Sequence, residues 1–280
     1  MQDNKNIFSK RKILIYGLGK SGISSYNFLK KTNKLFLYDD KKIKNKSIKI
    51  KLLSYKKLIK EKIDYIIISP GIDVKKCKLS GFLKKNLNKI HTDLDVFYSK
   101  YNQNKNITIT GTNGKSTTAK ILYEVLRQQK TDVRLVGNIG NPILLEKNIN
   151  KKTIFIIEAS SYQLDYSKLF KSNISAILNI SPDHLERHGT LNEYIKAKFK
   201  IIKGQEKEDY AILNINNIYI KKSLKKKFFL PKIIKIKKYI NTSILKKINN
   251  PYFMTNGNRE NLTFVFKIAN ILKVKKKNFI

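Results

Sequence analysis

A chain of 280 residues can hold two separately cored domains, and 59 basic against 20 acidic residues give it a formal charge of +39. The lysines are spread almost evenly, arginine is scarce, and isoleucine and asparagine are in matching excess, the triad that AT-rich codons encode. The charge is therefore read as solvated surface, with salt-sensitive polyanion binding but no specific nucleic acid expected. One cysteine, Cys77, excludes an intrachain disulfide and a cysteine-built structural zinc site. No apolar run approaches the roughly 20 residues of a bilayer span, and no apolar leader core precedes a cleavage site, so a cytoplasmic monomer without membrane insertion is expected.

In chain order, Lys12 to Tyr16 reads as a buried strand, followed by Gly17-Leu18-Gly19-Lys20-Ser21-Gly22 and a helical stretch carrying Ile23, Tyr26 and Leu29. A second strand, Lys34 to Tyr38, ends in Asp39-Asp40, the acidic position expected about 20 residues beyond the glycines to hold a ribose. Taken alone, this series favours a dinucleotide-binding Rossmann domain and an NAD-linked oxidoreductase; the competing reading is a tight turn with a chance acid. A third strand, Asp64 to Ser69, runs into Ser69-Pro70-Gly71-Ile72 at its carboxyl end, where ligands of open α/β sheets collect. Residues 1–91 read as one small α/β domain.

The pattern restarts after a polar patch at 102–106. The β-branched run Ile107-Thr108-Ile109-Thr110 breaks into Gly111-Thr112-Asn113-Gly114-Lys115-Ser116-Thr117 and then a helix with Ala119, Leu122, Val125 and Leu126 on one face. Glycines let backbone amides approach a polyphosphate, Lys115 adds charge, and the Ser116 hydroxyl can reach a magnesium ion. The common phosphate loop has a further glycine, whose place is taken here by Ile109.

Val133 to Val136 is a short strand opening into Gly137-Asn138-Ile139-Gly140. Thr153 to Ile157 is continuously apolar, as suits a parallel strand covered on both faces, and delivers Glu158; Ser175 to Ile180 delivers Ser181-Pro182-Asp183-His184. Glu158 and His184 thus fall beside the phosphate loop, as candidate magnesium and substrate contacts. Thr190-Leu191-Asn192-Glu193 starts a helix whose apolar stripe of Leu191, Tyr194, Ile195, Phe199, Ile201 and Ile202 has Lys198 at its centre. That lysine is either a buried amine of depressed pKa, suited to chemistry, or a cation snorkelling at the core's rim. Asp209 to Asn214 is another strand, 216–250 is dominated by Lys, Ile and Asn, Tyr252 to Met254 is expected as a strand, and Arg259 to Leu272 as a helix with Leu262, Val265, Phe266, Ala269 and Leu272 on one face.

With these residues in hand, the chain resembles the Mur ligases over roughly residues 10–270. The short loop Gly111–Thr117 is similar to the family's ATP signature. Gly137–Gly140, Glu158-Ala159-Ser160-Ser161-Tyr162-Gln163-Leu164 and Leu178–Leu185 follow as its central motifs, with the second favouring the branch that adds D-glutamate. The resemblance implies a Rossmann-like domain (1–91) that binds UDP-sugar, not NAD, through Lys20, Ser21, Asp39 and Gly71. It also implies a P-loop-type ATP-binding α/β domain (92–280) with a mainly parallel sheet.

In that resemblance ATP and Mg²⁺ are held by the loop and by Ser116, Glu158, His184 and a carbamylated Lys198, and Asn261 contacts adenine. Asn138, Ser160, Gln163 and His184 face the substrate, UDP-N-acetylmuramoyl-L-alanine, whose carboxylate becomes an acyl phosphate that D-glutamate attacks. The third-residue-adding ligase is the nearest sibling. Two departures stand out. Gly257-Asn258-Arg259-Glu260-Asn261 lacks the histidine of the usual His-Asn-x-x-Asn, and the chain ends before the C-terminal domain that binds D-glutamate. The expectation is that these 280 residues alone bind UDP-sugar and Mg-ATP but turn over poorly.

Overall fold

The computed structural model describes residues 6–41, 52–226, 228–240 and 251–274. The chain divides into two compact units, one of residues 1–102 with 142–147 and 165–170, the other of 103–141, 148–164 and 171–280.

In the first unit β1 (Lys12–Tyr16), α1 (Lys20–Leu29), β2 (Lys34–Tyr38), α2 (Tyr55–Leu58), β3 (Tyr65–Ile68), α3 (Ser80–Lys85), β4 (Ile90–His91) and α4 (Asp93–Tyr101) follow one another. The four strands form a parallel sheet in the order β2-β1-β3-β4. Ile13, Leu14, Ile15 and Tyr16 are all fully buried, which explains their unbroken apolar run: a central parallel strand has no face to show to water. Tyr16 pairs with both Tyr38 and Ile68, so the three strands end level and release Gly17, Asp39 and Ser69 at one edge.

Two short stretches from later in the chain complete this unit. The turn at Ile143–Leu145 packs on α1 and α4, and residues 167–170 are gathered by Asp95. That carboxylate, fully buried, accepts from the Ser167 hydroxyl at 2.6 Å and from the amides of Leu169 and Phe170 at 2.9 and 3.0 Å, while His91 Nδ1 lies 2.8 Å away. Burial alone would raise its pKa, but the hydrogen bonds of His91, Ser167 and the Lys168 amide outweigh it and hold the carboxyl below its ordinary value.

In the second unit β5 (Asn106–Thr110), α5 (Lys115–Gln128), β6 (Val133–Gly137), β7 (Ile154–Glu158), α6 (Ser161–Tyr166), β8 (Ile174–Ile177), α7 (Leu185–His188), α8 (Leu191–Lys203), β9 (Tyr210–Asn214), α9 (Ile218–Lys226) and β10 (Lys232–Ile236) precede a last helix, Asn256–Ile271. All described pairs of its sheet are parallel, in the order β10-β9-β8-β5-β7-β6. Strand order departs in both directions from β5, so the chain leaves β5 at a topological switch point, where open α/β sheets bind ligands. Against the sheet pack Ala119, Leu122, Val125 and Leu126 of α5 with Phe264, Val265 and Ile268 of the last helix.

Three sequence expectations change. The strand expected over Ser175–Ile180 ends at Ile177, and Leu178 to Asp183 is free to turn over the loop. The expected strand Tyr252–Met254 is a 3-10 turn, Pro251–Met254, since proline brings a fixed φ and no amide for a sheet ladder. The last helix begins at Asn256 because Thr255 caps it, its hydroxyl accepting from the Asn258 amide at 3.3 Å. Much of the Lys/Ile/Asn-rich stretch 216–250 resolves into α9 and β10, while 241–250 lie outside the described residues.

Candidate functional site

The phosphate loop is held from behind by the segment after β8. Leu178 N donates to Thr110 O at 3.0 Å, Thr112 N to Asn179 O at 2.9 Å, and Asn113 N to Asn179 Oδ1 at 2.9 Å. Gly114 caps α5 with φ +80°, and a Cβ there would collide with Asn261 Oδ1, so both conformation and space demand glycine. Asn261 is buried and lies against the loop, where the resemblance puts a base contact.

Two lysines converge on the loop's first carbonyls. Lys115 Nζ donates to Gly111 O at 3.0 Å and Thr112 O at 2.8 Å; Lys198 Nζ donates to the same Gly111 O at 2.8 Å. Lys198 is 2% exposed, its ammonium 4.5 Å from the Tyr194 ring centroid, and so it is a core lysine, not a snorkelling one. Desolvation first, then the neighbouring Lys115 charge, lower its pKa to about 7, with Asp183 opposing. Desolvation also lowers Lys115, offset in part by Glu158 and Asp183. Tyr194, legible in the sequence only as part of an apolar stripe, places its hydroxyl 3.1 Å from Thr112 Oγ1.

The carboxylate of Glu158, 1% exposed at the end of β7, joins two predicted residues: Ser116 Oγ donates to Oε2 at 2.8 Å and Asn138 Nδ2 to Oε1 at 2.9 Å. A hydroxyl and a carboxylate at a phosphate loop suit Mg²⁺, which takes one or two protein oxygens and completes its shell with phosphate and water. Among the described residues no three or more His, Cys, Asp or Glu side chains are grouped so as to hold a metal. Ser160 and Gln163 are joined to each other, Ser160 N donating to Gln163 Oε1 at 3.1 Å.

His184 immediately precedes α7. It has φ +53° at the start of α7, a half-exposed side chain 3.4 Å from Asp183, and a ring 4.9 Å from that of Tyr162. Beneath it is a histidine that sequence reasoning did not single out. His188 is buried, 3.0 Å from Ser161 Oγ and stacked on Tyr162; its spacing of four from His184 was the available signal.

The four residues expected for the sugar nucleotide, Lys20, Ser21, Asp39 and Gly71, line a single cavity of about 540 Å³ in the first unit, with Asp40, Ser69 and Cys77 among its other walls. At the fingerprint's third glycine, Gly22, a Cβ would run into Gly17 O, which explains the glycine by close helix–strand packing. Asp39 is largely committed to backbone: Oδ2 accepts from Leu18 N at 2.6 Å and Oδ1 from Lys41 N at 2.9 Å. Ser21 donates its hydroxyl to Asp93, and Tyr16 donates to Asp40 Oδ1 at 2.6 Å.

A family model described as the Mur ligase middle domain matches residues 109–271. The UDP-N-acetylmuramoylalanine–D-glutamate ligase of Rickettsia prowazekii is 39% identical over 224 residues, covering 78% of this chain and 49% of that protein. The protein of the same name in Rickettsia felis is 34% identical over 302 residues, covering 98% and 66%, and that of Caldicellulosiruptor bescii 39% identical over 220, covering 74% and 48%. The chain thus spans about half to two thirds of the length of these relatives.

Among solved structures, the UDP-N-acetylmuramate:L-alanyl-gamma-D-glutamyl-meso-diaminopimelate ligase of Neisseria meningitides superposes with a TM-score of 0.64 at 14% identity, over 97% of this chain and 96% of that one. The MurF ligase of Thermotoga maritima in complex with ADP superposes with a TM-score of 0.51 at 14% identity, over 100% and 66%. These two show a shared fold. The family match spans the short phosphate loop, Glu158, Lys198 and the Asn258–Asn261 pair, and on that match the chain belongs to the Mur ligase family.

Proposed function

We propose that this chain carries the sugar-nucleotide and ATP sites of a peptidoglycan-precursor ligase that joins D-glutamate to UDP-N-acetylmuramoyl-L-alanine. The observation that carries the reading is the convergence of Ser116, Glu158, Lys115 and Lys198 on one loop, in a chain 34–39% identical to proteins of that name. The sibling ligases resemble this chain in fold, whereas the three relatives named above at that identity are D-glutamate ligases. The NAD-linked reading accounts for Gly17–Gly22 and leaves the second loop without a role.

In this reading the cavity of Lys20, Ser21, Asp39 and Gly71 takes the UDP moiety. Lys115 exchanges its two loop carbonyls for phosphate oxygens, and the loop amides and the α5 N-terminus add further donors. Ser116 and Glu158 would hold Mg²⁺, which would neutralise charge on the phosphates. Asn138, which fixes the Glu158 carboxylate, and His184 orient the alanine carboxylate for in-line attack on the γ-phosphate, a transfer that depends on positioning and charge stabilisation. ADP leaves as the acyl phosphate forms; the amine of D-glutamate then attacks its carbonyl carbon, and inorganic phosphate departs as the amide bond forms. Lys198, buried with a pKa near neutrality, has the un-ionised amine that carbamylation by CO₂ requires, and the carbamate would turn a costly buried cation into an anion facing the metal site.

Titration of the chain with UDP-N-acetylmuramoyl-L-alanine, UDP-N-acetylmuramoyl-dipeptide, NADH and Mg-ATP tests the reading. The account expects saturable binding of the first and last, weaker binding of the dipeptide, and none of NADH. Tight NADH binding without sugar-nucleotide binding would overturn it.

A further inference from the structure

The carboxyl ends of three strands meet at one side chain that no motif singles out. Glu260, in the first turns of the last helix, accepts through Oε1 from Asn179 Nδ2 at 3.3 Å and Asn214 Nδ2 at 3.0 Å, and through Oε2 from the Tyr239 hydroxyl at 3.2 Å. Asn179 follows β8, Asn214 ends β9 and Tyr239 follows β10.

A carboxylate can only accept hydrogen bonds, whereas a carboxamide has a donating and an accepting end. Glu260 therefore decides which way the Asn179 amide faces: Nδ2 toward the carboxylate, and Oδ1 toward the loop, where it receives the Asn113 amide at 2.9 Å. The neighbouring Thr112 amide goes to the Asn179 main-chain oxygen at 2.9 Å, a bond any residue could provide. The Asn113 bond depends on the side chain and on its orientation. If the carboxamide turned over, two donors would face each other at Asn113 and one amide would go without a partner. The next residue after Glu260 is Asn261, which lies against Gly114, so the same helical turn meets the loop directly through Asn261 and indirectly, by way of Asn179, through Glu260.

We propose that Glu260 is a positioning residue for the ATP loop, acting through Asn179 to hold the Asn113 amide and so keep Gly111–Ser116 in its phosphate-binding shape. The proposal rests on reading that loop as the ATP site.

Amide hydrogen exchange at Asn113 in the nucleotide-free protein, together with Mg-ADP and UDP affinities, tests it. Glu260→Leu is expected to speed Asn113 exchange by about tenfold or more and to weaken Mg-ADP by roughly tenfold, the scale of a hydrogen bond to a charged group. UDP affinity, read at the first unit, should not move. Glu260→Gln, which keeps an acceptor for Asn179, should restore both to within about twofold of wild type. Asn179→Ala should reproduce the Glu260→Leu behaviour, and adding Glu260→Leu to it should change nothing more. Asn113 exchange in Glu260→Leu matching wild type, or equal weakening of Mg-ADP by Glu260→Leu with and without Asn179, would overturn the proposal. Wild-type protein that fails to bind Mg-ADP would instead defeat the ATP reading, with the exchange data still deciding the role of Glu260.

Discussion

The two glycine-rich turns of this molecule follow the same plan, a buried parallel strand releasing glycines into the start of a helix, and they are built for different tasks. At Gly17–Gly22 the turn opens on a cavity of about 540 Å³, and its acid, Asp39, is committed to backbone amides. At Gly111–Ser116 two lysines share one carbonyl and a nearly buried glutamate holds a serine and an asparagine. The first arrangement suits holding a ligand, the second suits stabilising charge that moves. A strand-glycine-helix signature alone therefore cannot separate binding from chemistry; the charged side chains packed behind the turn can.

Changes at the second loop should break chemistry and leave the first site intact. Lys115→Ala is expected to lower phosphoryl transfer by about a thousandfold, on the scale of losing a preorganised charge contact, with UDP-sugar affinity unchanged; steady-state kinetics and calorimetry check both halves. Lys198→Met should abolish transfer similarly while leaving stability equal or higher below pH 7, where the wild-type lysine carries a buried charge. Wild-type stability should then gain on Lys198→Met as pH rises from about 7, the folded value, toward the ordinary 10.5.

A stability change of about 3 kcal/mol is expected in the first unit for Asp95→Asn, which breaks a buried, multiply bonded carboxylate; urea unfolding measures it. Since the folded Asp95 pKa lies below its ordinary 3.8, its contribution is complete above that value and is lost as pH falls through the folded one. The difference between wild type and Asp95→Asn should shrink in that acid range.

A smaller effect separates the glycines. Gly114→Ala, at φ +80° and against Asn261, should cost about 2 kcal/mol, whereas Gly19→Ala, whose Cβ meets nothing within 4 Å, should change stability by about 0.5 kcal/mol or less. Thr190→Ala, which removes the α8 cap bond to the Glu193 amide at 3.2 Å, should cost about 1 kcal/mol. Thermal melts of the three variants rank them.

The strands that lead into the two glycine turns, and the turns themselves, were legible because unbroken apolar runs ending in glycine have few other physical solutions, whereas the two-residue β4 and the lysine-interrupted β10 lack such a run. Lys198 was legible from helix phase, since a lysine at the centre of an apolar stripe contradicts its surroundings. What stayed hidden depends on contacts far apart in sequence. Nothing near Asp95 announces that it captures residues 167–170, and nothing near Glu260 announces that it turns the Asn179 amide. Asp39, expected as a sugar-nucleotide contact, lines the cavity, but its bonds to the Leu18 and Lys41 amides are a property of the folded turn, which spacing does not encode. Tyr194 looked like core because most of it is; only its hydroxyl, touching Thr112, serves the loop.

The central claim is that sugar nucleotide and ATP occupy separate units, and the most direct test is calorimetric titration of wild type and Lys115→Ala with each ligand. The account predicts that Lys115→Ala loses Mg-ATP binding by about tenfold or more and keeps its affinity for UDP-N-acetylmuramoyl-L-alanine, while Gly22→Ala does the reverse. Loss of both ligands in either variant, or displacement of the sugar nucleotide by ATP, would contradict it.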